Sequence, residues 1–372
     1  MTHGLNRDRF IAVLMLLPSI VLLAIFVYIF IGATAYTAMT DSSALQRLSR
    51  VPANFVGFKN YTDLFSGALD TRFRIDIVNT VFFTFLFIVV CLGIGLLLAI
   101  LLDQKVRGEG IFRTIFLFPM SLSFVVTGVI WKWLFNPGAG INVLPTYVGL
   151  PPGEFRWFIS QDRLLEFNWQ NLPEILAIIV VAVLLTLTLW WALKRRTIFA
   201  AIGAAAALLI STWTLLGGAA TLNALPRPET HGFNLALIAV VVAAGWQMVG
   251  YTMAMYLAGL RGISEELREA GRVDGCTEFG VYRYIVFPLL APITLSAIII
   301  LGHISLKIFD LVYVMGGGDL LVIDMPGINM FFETFRGQNF GRGAAIAMVM
   351  LILVAAVIVP YLASNMRAET KR

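Results

Sequence analysis

The sequence VNTVFFTFLFIVVCLGIGLLLAILL, from Val78 to Leu102, decides the fold class. It contains no charged residue and is bounded by Asp76 and Asp103. A helix needs about 20 predominantly apolar residues to cross the hydrocarbon core of a bilayer. This stretch therefore predicts a membrane-spanning helix.

Composition extends that prediction to the whole chain, which has 372 residues, 59% of them hydrophobic and only 13% charged, and a mean hydropathy of +0.85. Soluble proteins carry about 25% charged residues, so one aqueous core could not bury this much apolar surface. A net charge of +5 and a pI near 9.3 would be compatible with a nucleic acid partner in a soluble protein. Basic loops beside membrane spans explain the charge better, so we expect no nucleic acid partner.

About eight windows are long and apolar enough to span a bilayer, which predicts an all-α polytopic bundle with about eight transmembrane helices. The windows are Ile11–Ala33, Val78–Leu102, Ile115–Phe135, Ile175–Leu193, Ile198–Ala219, Leu235–Leu257, Pro292–Tyr313 and Ala344–Leu362. The first is too long for the hydrophobic region of a signal peptide, so we expect it to remain as a span.

The distribution of Lys and Arg predicts the orientation, because positively charged loops stay in the cytoplasm. Positive charge is denser on the side of the N-terminus, where one short loop contains Lys194, Arg195 and Arg196. An even number of spans then places the N- and C-termini in the cytoplasm.

The sequence shows no pattern of residues typical of a catalytic or metal-binding site. Cys91 lies in an apolar run, Cys276 lies in a polar loop and the three histidines are scattered, so we expect no disulfide and no metal site. The sequence contains no Gly-x-x-x-x-Gly-Lys-Ser/Thr, so the chain has no P-loop of its own. A membrane-embedded enzyme would need acids or histidines clustered at one interface, and none are found.

The polar stretch between the sixth and seventh windows is long for an inner loop of this chain, which indicates a function. It reads SEELREAGRVDGCTEFGVYRYIVFP from Ser264 to Pro288. With Ser264 as N-cap, a helix should run to about Val273. Gly275 then permits a sharp turn, and Thr277 should cap a second short helix that ends before Pro288.

Leu267, Ala270 and Gly271 share a face of the first short helix at helical spacing. The charged residues beside that face are Arg268, Glu269 and Arg272. Because two of the apolar residues are small, another surface could approach the backbone closely, and we interpret the helix as a docking element. The alternative is an ordinary amphipathic helix that lies on lipid headgroups.

This stretch resembles the signature cytoplasmic loop of binding-protein-dependent ABC importer permeases, which is Glu-Ala-Ala, Asp-Gly-Ala and then Ile-x-Leu-Pro, with nine residues between the Gly and the Ile. The matching residues are Glu269, Ala270, Asp274, Gly275, Ile285 and Pro288, whereas Gly271, Cys276 and Phe287 replace Ala, Ala and Leu. The replacements stay small or apolar, so docking should survive them. Further similarity at 58–61, 79–80, 113–119, 131–136 and 309–318 points to the carbohydrate branch and its maltose-type permeases.

The family core has six spans, so the fourth and fifth windows form an inserted helical pair. We therefore divide the chain into 1–135, with the first three spans and an outer loop, 136–234, with an outer loop and the inserted pair, and 235–372. The last part holds the final three spans and the coupling loop 262–288. The insert could pack against the core, lipid or another subunit.

The resemblance implies a permease subunit of an ATP-driven sugar importer in the bacterial cytoplasmic (inner) membrane, which catalyses no bond change itself. Its implied partners are a second related permease subunit, two ABC ATPase subunits, an extracytoplasmic solute-binding protein, the sugar and the lipid bilayer. No cofactor is implied in this chain, since ATP and Mg would bind the ATPase subunits. The first short helix would sit in an ATPase cleft, with Glu269 facing a basic group, and glucose or an α-glucoside is the suggested sugar.

In maltose-type relatives the sugar site lies on the spans that flank the signature loop, which implies a path near Gln247, Met248 and Tyr251. An amide and a phenol suit sugar hydroxyls. The alternative for Gln247 is a hydrogen bond between helices.

The seventh window contains Ser305, Lys307 and Asp310, and charges at membrane depth are costly unless they are paired. We expect a structural Lys307–Asp310 pair that lines the cavity, with direct sugar contact or snorkelling of Lys307 as alternatives. A secondary transporter driven by an ion gradient would show inverted repeats and several intramembrane acids, and neither is apparent.

Overall fold

The computed structural model describes residues 2–67, 70–104, 106–222, 225 and 227–369, and most of these residues are helical. Over this part of the chain, seven helices are long and apolar enough to cross a membrane, and one bent helix pair raises the number to as many as eight. The predicted all-α polytopic fold is confirmed. A two-stranded ribbon is the only β-sheet within the described ranges.

The N-terminal region builds the first span and the long central helix of the bundle. It contains α1 (Thr2–Leu23), a π-helical turn (Ala24–Ile29), α2 (Phe30–Ala38), α3 (Ala44–Leu48), α4 (Lys59–Ser66) and α5 (Thr71–Asp103). One stripe of α5 is buried at intervals of four residues, namely Phe83, Phe87, Cys91, Gly95 and Ala99. That spacing keeps the stripe on one side of the helix, which becomes the packing surface for the rest of the core.

The predicted third span, Ile115–Phe135, is wrong as a straight helix. It consists of α6 (Glu109–Leu117), a 3₁₀ turn (Phe118–Ser121) and α7 (Phe124–Leu134). The two arms meet at a bend of 100°. Pro119 removes a helical donor, and Ser123 restarts the helix by accepting a hydrogen bond from the Val126 N–H at 3.2 Å.

The middle of the chain forms a helical hairpin on a β-ribbon. It contains 3₁₀ turns at Gly140–Val148, Trp157–Ile159 and Trp169–Asn171, strands β1 (Arg163–Asn168) and β2 (Thr230–Asn234), and helices α8 (Leu172–Leu193), α9 (Thr197–Leu215) and α10 (Gly218–Thr221). The strands pair antiparallel, with Arg163 opposite Asn234 and Asn168 opposite Thr230. The ribbon therefore closes the base of the α8–α9 hairpin, whose two helices correspond to the predicted fourth and fifth windows.

The C-terminal region completes the core. It contains α11 (Leu237–Arg261), α12 (Glu265–Val273), α13 (Glu278–Val281), a π-helical turn (Tyr282–Val286), α14 (Phe287–Leu306), α15 (Asp310–Gly316), a 3₁₀ turn (Leu321–Ile323), α16 (Pro326–Phe331), a π-helical turn (Phe332–Arg336) and α17 (Phe340–Glu369). The predicted seventh window, Pro292–Tyr313, is wrong at both limits. The spanning helix is Glu278–Leu306, and a break at 307–309 separates it from α15.

α11 is more buried than any other candidate span and packs along α5. Thr252 of α11 donates from Oγ1 to the Cys91 carbonyl of α5 at 2.7 Å. A side chain at Gly95 would collide with Thr252, so the two helices approach closely at this point. We call the end of the bundle that holds β1 and β2 the ribbon end, and the opposite end, which holds α12, the loop end.

A buried ion cluster fixes the ribbon to α5. Arg74 is fully buried and donates from Nε to both carboxylate oxygens of Glu229 at 3.0 Å, and His231 Nε2 lies 2.6 Å from Glu229 Oε1. Burial raises the pKa of Glu229, but the hydrogen bonds and charges of Arg74 and His231 outweigh it, and the pKa lies below its usual value. Burial lowers the pKa of His231, although Glu229 opposes that shift.

Candidate functional site

The loop end contains α12 at the position that the sequence predicts. The helix ends at Val273, and Gly275 follows with a φ of +86°, a conformation that glycine adopts at little cost. Thr277 caps the next helix, its side chain accepting a hydrogen bond from the Gly280 N–H at 3.3 Å. The prediction for Ser264 is correct in backbone conformation only, because its side chain makes no capping hydrogen bond.

The second short helix is not separate from the membrane. Helix α13, the π-helical turn and α14 run on without a break as Glu278–Leu306, so the prediction that this helix ends before Pro288 is wrong. Proline lacks the N–H that an α-helix would use four residues back. That position falls in the wider π-helical turn, which absorbs the missing donor without breaking the helix.

One face of α12 is anchored to the bundle. Arg268 donates from Nη1 to Asp103 at the end of α5 at 2.8 Å, and from Nη2 to the Leu260 carbonyl at 2.8 Å. A Cβ at Gly271 would lie 2.6 Å from Cδ1 of Ile285, so α12 rests directly on the helix that leads into α14. The prediction that Gly271 belongs to an exposed docking face is therefore wrong.

The two arginines expected beside the docking face, Arg268 and Arg272, both make contacts within the chain. Arg272 donates from Nε to Glu278 at 2.7 Å and from Nη1 to Glu265 at 3.2 Å. These hydrogen bonds raise the pKa of Arg272 above its already high ordinary value. Arg272 thereby ties α12 to α13 across the glycine turn.

The face that remains exposed consists of Glu266, Glu269, Ala270 and Val273, at positions i, i+3, i+4 and i+7. Val273 is 86% exposed, which is a high exposure for an apolar side chain. The matched signature residues Asp274, Gly275 and Pro288 are also exposed, whereas Ile285 is half-buried beneath α12. The exposed face is thus acidic around a small apolar centre, and Leu267 lies beside it.

That charge pattern argues against a helix that lies on lipid. Cytoplasmic leaflets carry a negative surface potential and attract basic segments. Glu266 and Glu269 would be repelled from such a surface, whereas a basic cleft on a protein would attract them. The alternative of a headgroup-bound amphipathic helix is therefore less consistent with the structure.

Gln247 lies at the break between α6 and α7. Its Nε2 donates to the Leu122 carbonyl at 2.6 Å, and only 3% of the residue is exposed. Backbone groups freed by a helix break at membrane depth need a protein partner, because lipid offers none. The structure therefore supports the alternative of a hydrogen bond between helices, although Gln247 Oε1 has no partner of its own.

The other residues of the predicted sugar path divide between core and surface. Met248 is buried and Tyr251 half-buried in the main apolar core, and Ser305 is buried and accepts a hydrogen bond from Thr84 Oγ1 at 2.9 Å. Lys307 and Asp310 are exposed. Met248 and Tyr251 lie on α11 and Ser305 lies on α14, whereas Lys307 lies in the break after α14 and Asp310 begins α15.

The predicted Lys307–Asp310 ion pair is wrong. No ion pair joins these side chains in the part of the chain that the structure describes. The pairing argument assumed one continuous helix, but α14 ends at Leu306 and α15 starts at Asp310. The break removes the helical spacing that would have brought the two charges together.

Sequence reasoning missed a groove of about 480 Å³ between α5, the broken pair α6–α7 and α11. The rings of Trp131 and Trp246 lie on its wall, with centroids 5.8 Å apart. Trp131 Nε1 is buried without a partner, and so is Thr127 Oγ1 one turn earlier. The one sequence feature that could have indicated this groove is Trp246, an aromatic residue next to Gln247.

No group of three or more His, Cys, Asp or Glu side chains that could hold a metal ion occurs among the described residues.

Residues 92–368 match the family described as the binding-protein-dependent transport system inner membrane component. The chain belongs to this family. The permease is therefore a multi-pass inner-membrane transport subunit, and the resemblance on which that prediction rested is confirmed.

Relatives along nearly the whole chain agree. A probable ABC transporter permease of Pyrococcus horikoshii is 32% identical over 96% of this chain and 97% of its own length. The xylose/arabinose import permease of Haloferax volcanii is 29% identical, over 92% of this chain and 84% of its own. The trehalose/maltose permease of Thermococcus litoralis is 23% identical, over 96% and 94%. These relatives place the permease in the carbohydrate branch.

Solved structures support the same fold. A chain of a bacterial alginate ABC transporter, solved with an alginate pentasaccharide-bound periplasmic protein, superposes with a TM-score of 0.62 at 16% identity. The match covers 95% of the permease and 94% of that chain.

Proposed function

We propose that the permease forms the translocation path of an ATP-driven sugar importer and that α12 couples this path to ATP hydrolysis. The relatives named for xylose, arabinose, trehalose and maltose support a sugar as substrate. Glucose or an α-glucoside is the finer proposal. The observation that carries the coupling role is that α12 is anchored on one face and exposes an acidic, apolar-centred face on the other.

The assembly follows from the same proposal. The loop end and both termini face the cytoplasm, and the ribbon end faces outward. A second related permease subunit completes the path, and two ABC ATPase subunits bind ATP and Mg and hold the coupling helices. An extracytoplasmic solute-binding protein delivers the sugar, so this chain needs no cofactor of its own.

The anchors of α12 provide the route for the motion. Arg268 joins it to α5 and α11, and the contact between Gly271 and Ile285 joins it to α14. A ligand or partner changes a conformation only through contacts that differ between the two states. An ATPase cleft that holds the exposed face and moves on closure supplies such a difference.

The sugar path remains a proposal along α11 and α14, with Gln247, Met248, Tyr251 and Ser305 as its residues. The unpartnered Oε1 of Gln247 supports it, because a buried acceptor can take a hydroxyl hydrogen bond. Lys307 follows the end of α14 and Asp310 begins α15, and both are exposed, so we place them at the mouth of the path.

Glu269→Lys tests the coupling role. We expect this variant to assemble in the membrane but to lose transport and sugar-stimulated ATP hydrolysis, because the reversed charge would oppose a basic cleft. Glu166→Lys is the control, since it makes the same change at an exposed carboxylate of β1, at the opposite end of the bundle from α12. Normal sugar uptake by Glu269→Lys, or equal loss in both variants, would refute the role.

A further inference from the structure

A second groove, of about 450 Å³, lies at the ribbon end above the start of α11. The aromatic and polar residues of its lining are Glu154, Phe155, Arg156, Trp157, Ser160 and Asp162. Aromatic rings beside carboxylates, a guanidinium and a hydroxyl match a ligand that has both apolar faces and many hydroxyl groups. None of these residues belongs to the coupling site or to the predicted sugar path.

Trp157 forms a rigid platform in this groove. Its φ is +44°, a conformation that costs a bulky residue free energy and persists only when the surroundings enforce it. The indole Nε1 donates to Asn142 Oδ1 at 3.0 Å, and the ring stacks on Phe135 with centroids 4.3 Å apart. Asn142 is itself buried and donates from Nδ2 to the Phe155 carbonyl at 2.8 Å.

The groove also presents polar groups that remain available. Ser160 Oγ lies 2.9 Å from Asp162 Oδ2, which orients that carboxylate. Glu154 and Arg156 enter no ion pair in the described part of the chain. Phe155 is 67% exposed and lies 5.4 Å from the Trp157 ring, so two aromatic faces and two free charges meet at one opening.

An unbroken series of ring contacts joins this groove to the one within the membrane. The Trp157 ring packs on Phe135. The ring centroids of Phe135 and Trp131 lie 4.9 Å apart, and those of Trp131 and Trp246 lie 5.8 Å apart. Phe135 is only 1% exposed, so it is a buried support between the two tryptophan rings rather than a surface for ligand. Both grooves therefore present indole rings that are held by the same buried phenylalanine.

We propose that the groove formed by Phe155 and Trp157 is a carbohydrate-binding subsite at the ribbon end, distinct from the path along α11. It takes one sugar ring against the aromatic faces, with Glu154, Arg156 and Asp162 bonding the hydroxyl groups. This inference rests on the proposed function, since it assumes that the transported solute is a sugar.

The test uses the full assembled transporter in nanodiscs, labelled with 5-fluorotryptophan. The sequence has eight Trp residues, and the Trp157 fluorine signal is assigned by its loss in Trp157→Phe. D-xylose, trehalose and maltose are titrated without the solute-binding protein. We expect at least one of them to shift the Trp157 signal, and Phe155→Leu and Glu154→Gln to raise the half-saturating concentration about threefold to tenfold.

The matched control is Tyr147→Leu, which removes another exposed aromatic ring at the same end, 82% exposed but outside the groove, and should leave the titration unchanged. If the transporter takes up one of the sugars but the Trp157 signal does not respond to it, the subsite is refuted. If the groove variants only raise the solute-binding protein concentration needed for half-maximal ATP hydrolysis, the groove is a protein contact and the inference is equally overturned. Uptake of none of the sugars would count against the proposed function instead.

Discussion

Replacing Arg268 by methionine should detach α12 from α5 while keeping most of the side chain's apolar length. The guanidinium lies 2.8 Å from Asp103, and the two side chains are only 12% and 10% exposed. Removing one partner of a buried ion pair typically costs about 3–5 kcal/mol. Some solvent reaches this pair, so we expect about 2–3 kcal/mol.

The loss of that free energy destabilises the position in which α12 packs against α5 in the permease without its partners. At about 1.4 kcal/mol per tenfold change, it reduces the equilibrium ratio of positioned to detached α12 by about 30- to 140-fold. Sugar-stimulated ATP hydrolysis by the assembled transporter should fall strongly. Hydrogen exchange of the α12 amides should speed up, because the helix would open locally more often.

A double-mutant cycle gives the decisive measurement. Arg268→Met, Asp103→Asn and the double variant are compared, and we expect the double variant to lose little more than either single one, with a coupling energy of about 1–3 kcal/mol. Arg261→Met is the control, because the pair of Arg261 and Glu109 joins α11 to α6 at the same end but is 45% and 28% exposed. Additive losses, or an equal effect of Arg261→Met, would refute the reasoning.

Three further outcomes are expected. Gln247→Leu should lower the thermal midpoint and transport, because it leaves the carbonyl at the α6–α7 break without a donor at a cost of about 1–3 kcal/mol, whereas Met248→Leu should change the thermal midpoint little. Gly250→Ala should destabilise the permease, since a Cβ there collides with the Phe116 carbonyl, whereas Gly93→Ala meets open space and should not, as thermal unfolding in detergent would show. The thermal midpoint should fall as pH drops below about 6.5, and less so in His231→Gln.

The sign of this last effect follows from the two lowered pKa values at the ribbon. A group with a lower pKa in the folded state stabilises it fully above its unfolded pKa and loses that contribution as pH falls. His231 begins to lose it below its ordinary value of 6.5, and Glu229 below 4.5. A midpoint that rises on acidification would show that protonated His231 strengthens its contact with Glu229 instead.

Apolar length predicted most of the spans, because the bilayer requires every spanning helix to be long and uncharged. The break at Leu122 was missed although Pro119 and Ser123 mark it, because the length of an apolar window takes no account of such residues and the stabilising donor, Gln247, lies far along the chain. The end of α14 at Leu306 was missed for the same reason, and it removed the expected charge pair. Helix propensity and the length of an apolar window report only on neighbouring residues, whereas these breaks also depend on contacts between segments that are distant in the sequence.

The coupling loop shows the same division. Its helix, glycine turn and threonine cap follow from local rules, so the sequence predicted them closely. Which face of α12 is free depends on Asp103 and Ile285, and neither could be positioned without the fold. Gly271 is therefore buried, whereas Glu269 and Ala270 are exposed, and their docking role stays a prediction.

If α12 has the proposed coupling role, its anchors determine which helices would move with it. α12 contacts the ends of α5 and α11 and the start of the α13–α14 helix, so a pull on it acts on all three core spans at once. The α8–α9 hairpin joins the core at the ribbon end, where Trp169 and Leu172 pack with Val78 of α5. Because that joint lies at the opposite end from α12, we expect shortening of the hairpin between β1 and β2 to leave sugar-stimulated ATP hydrolysis largely intact.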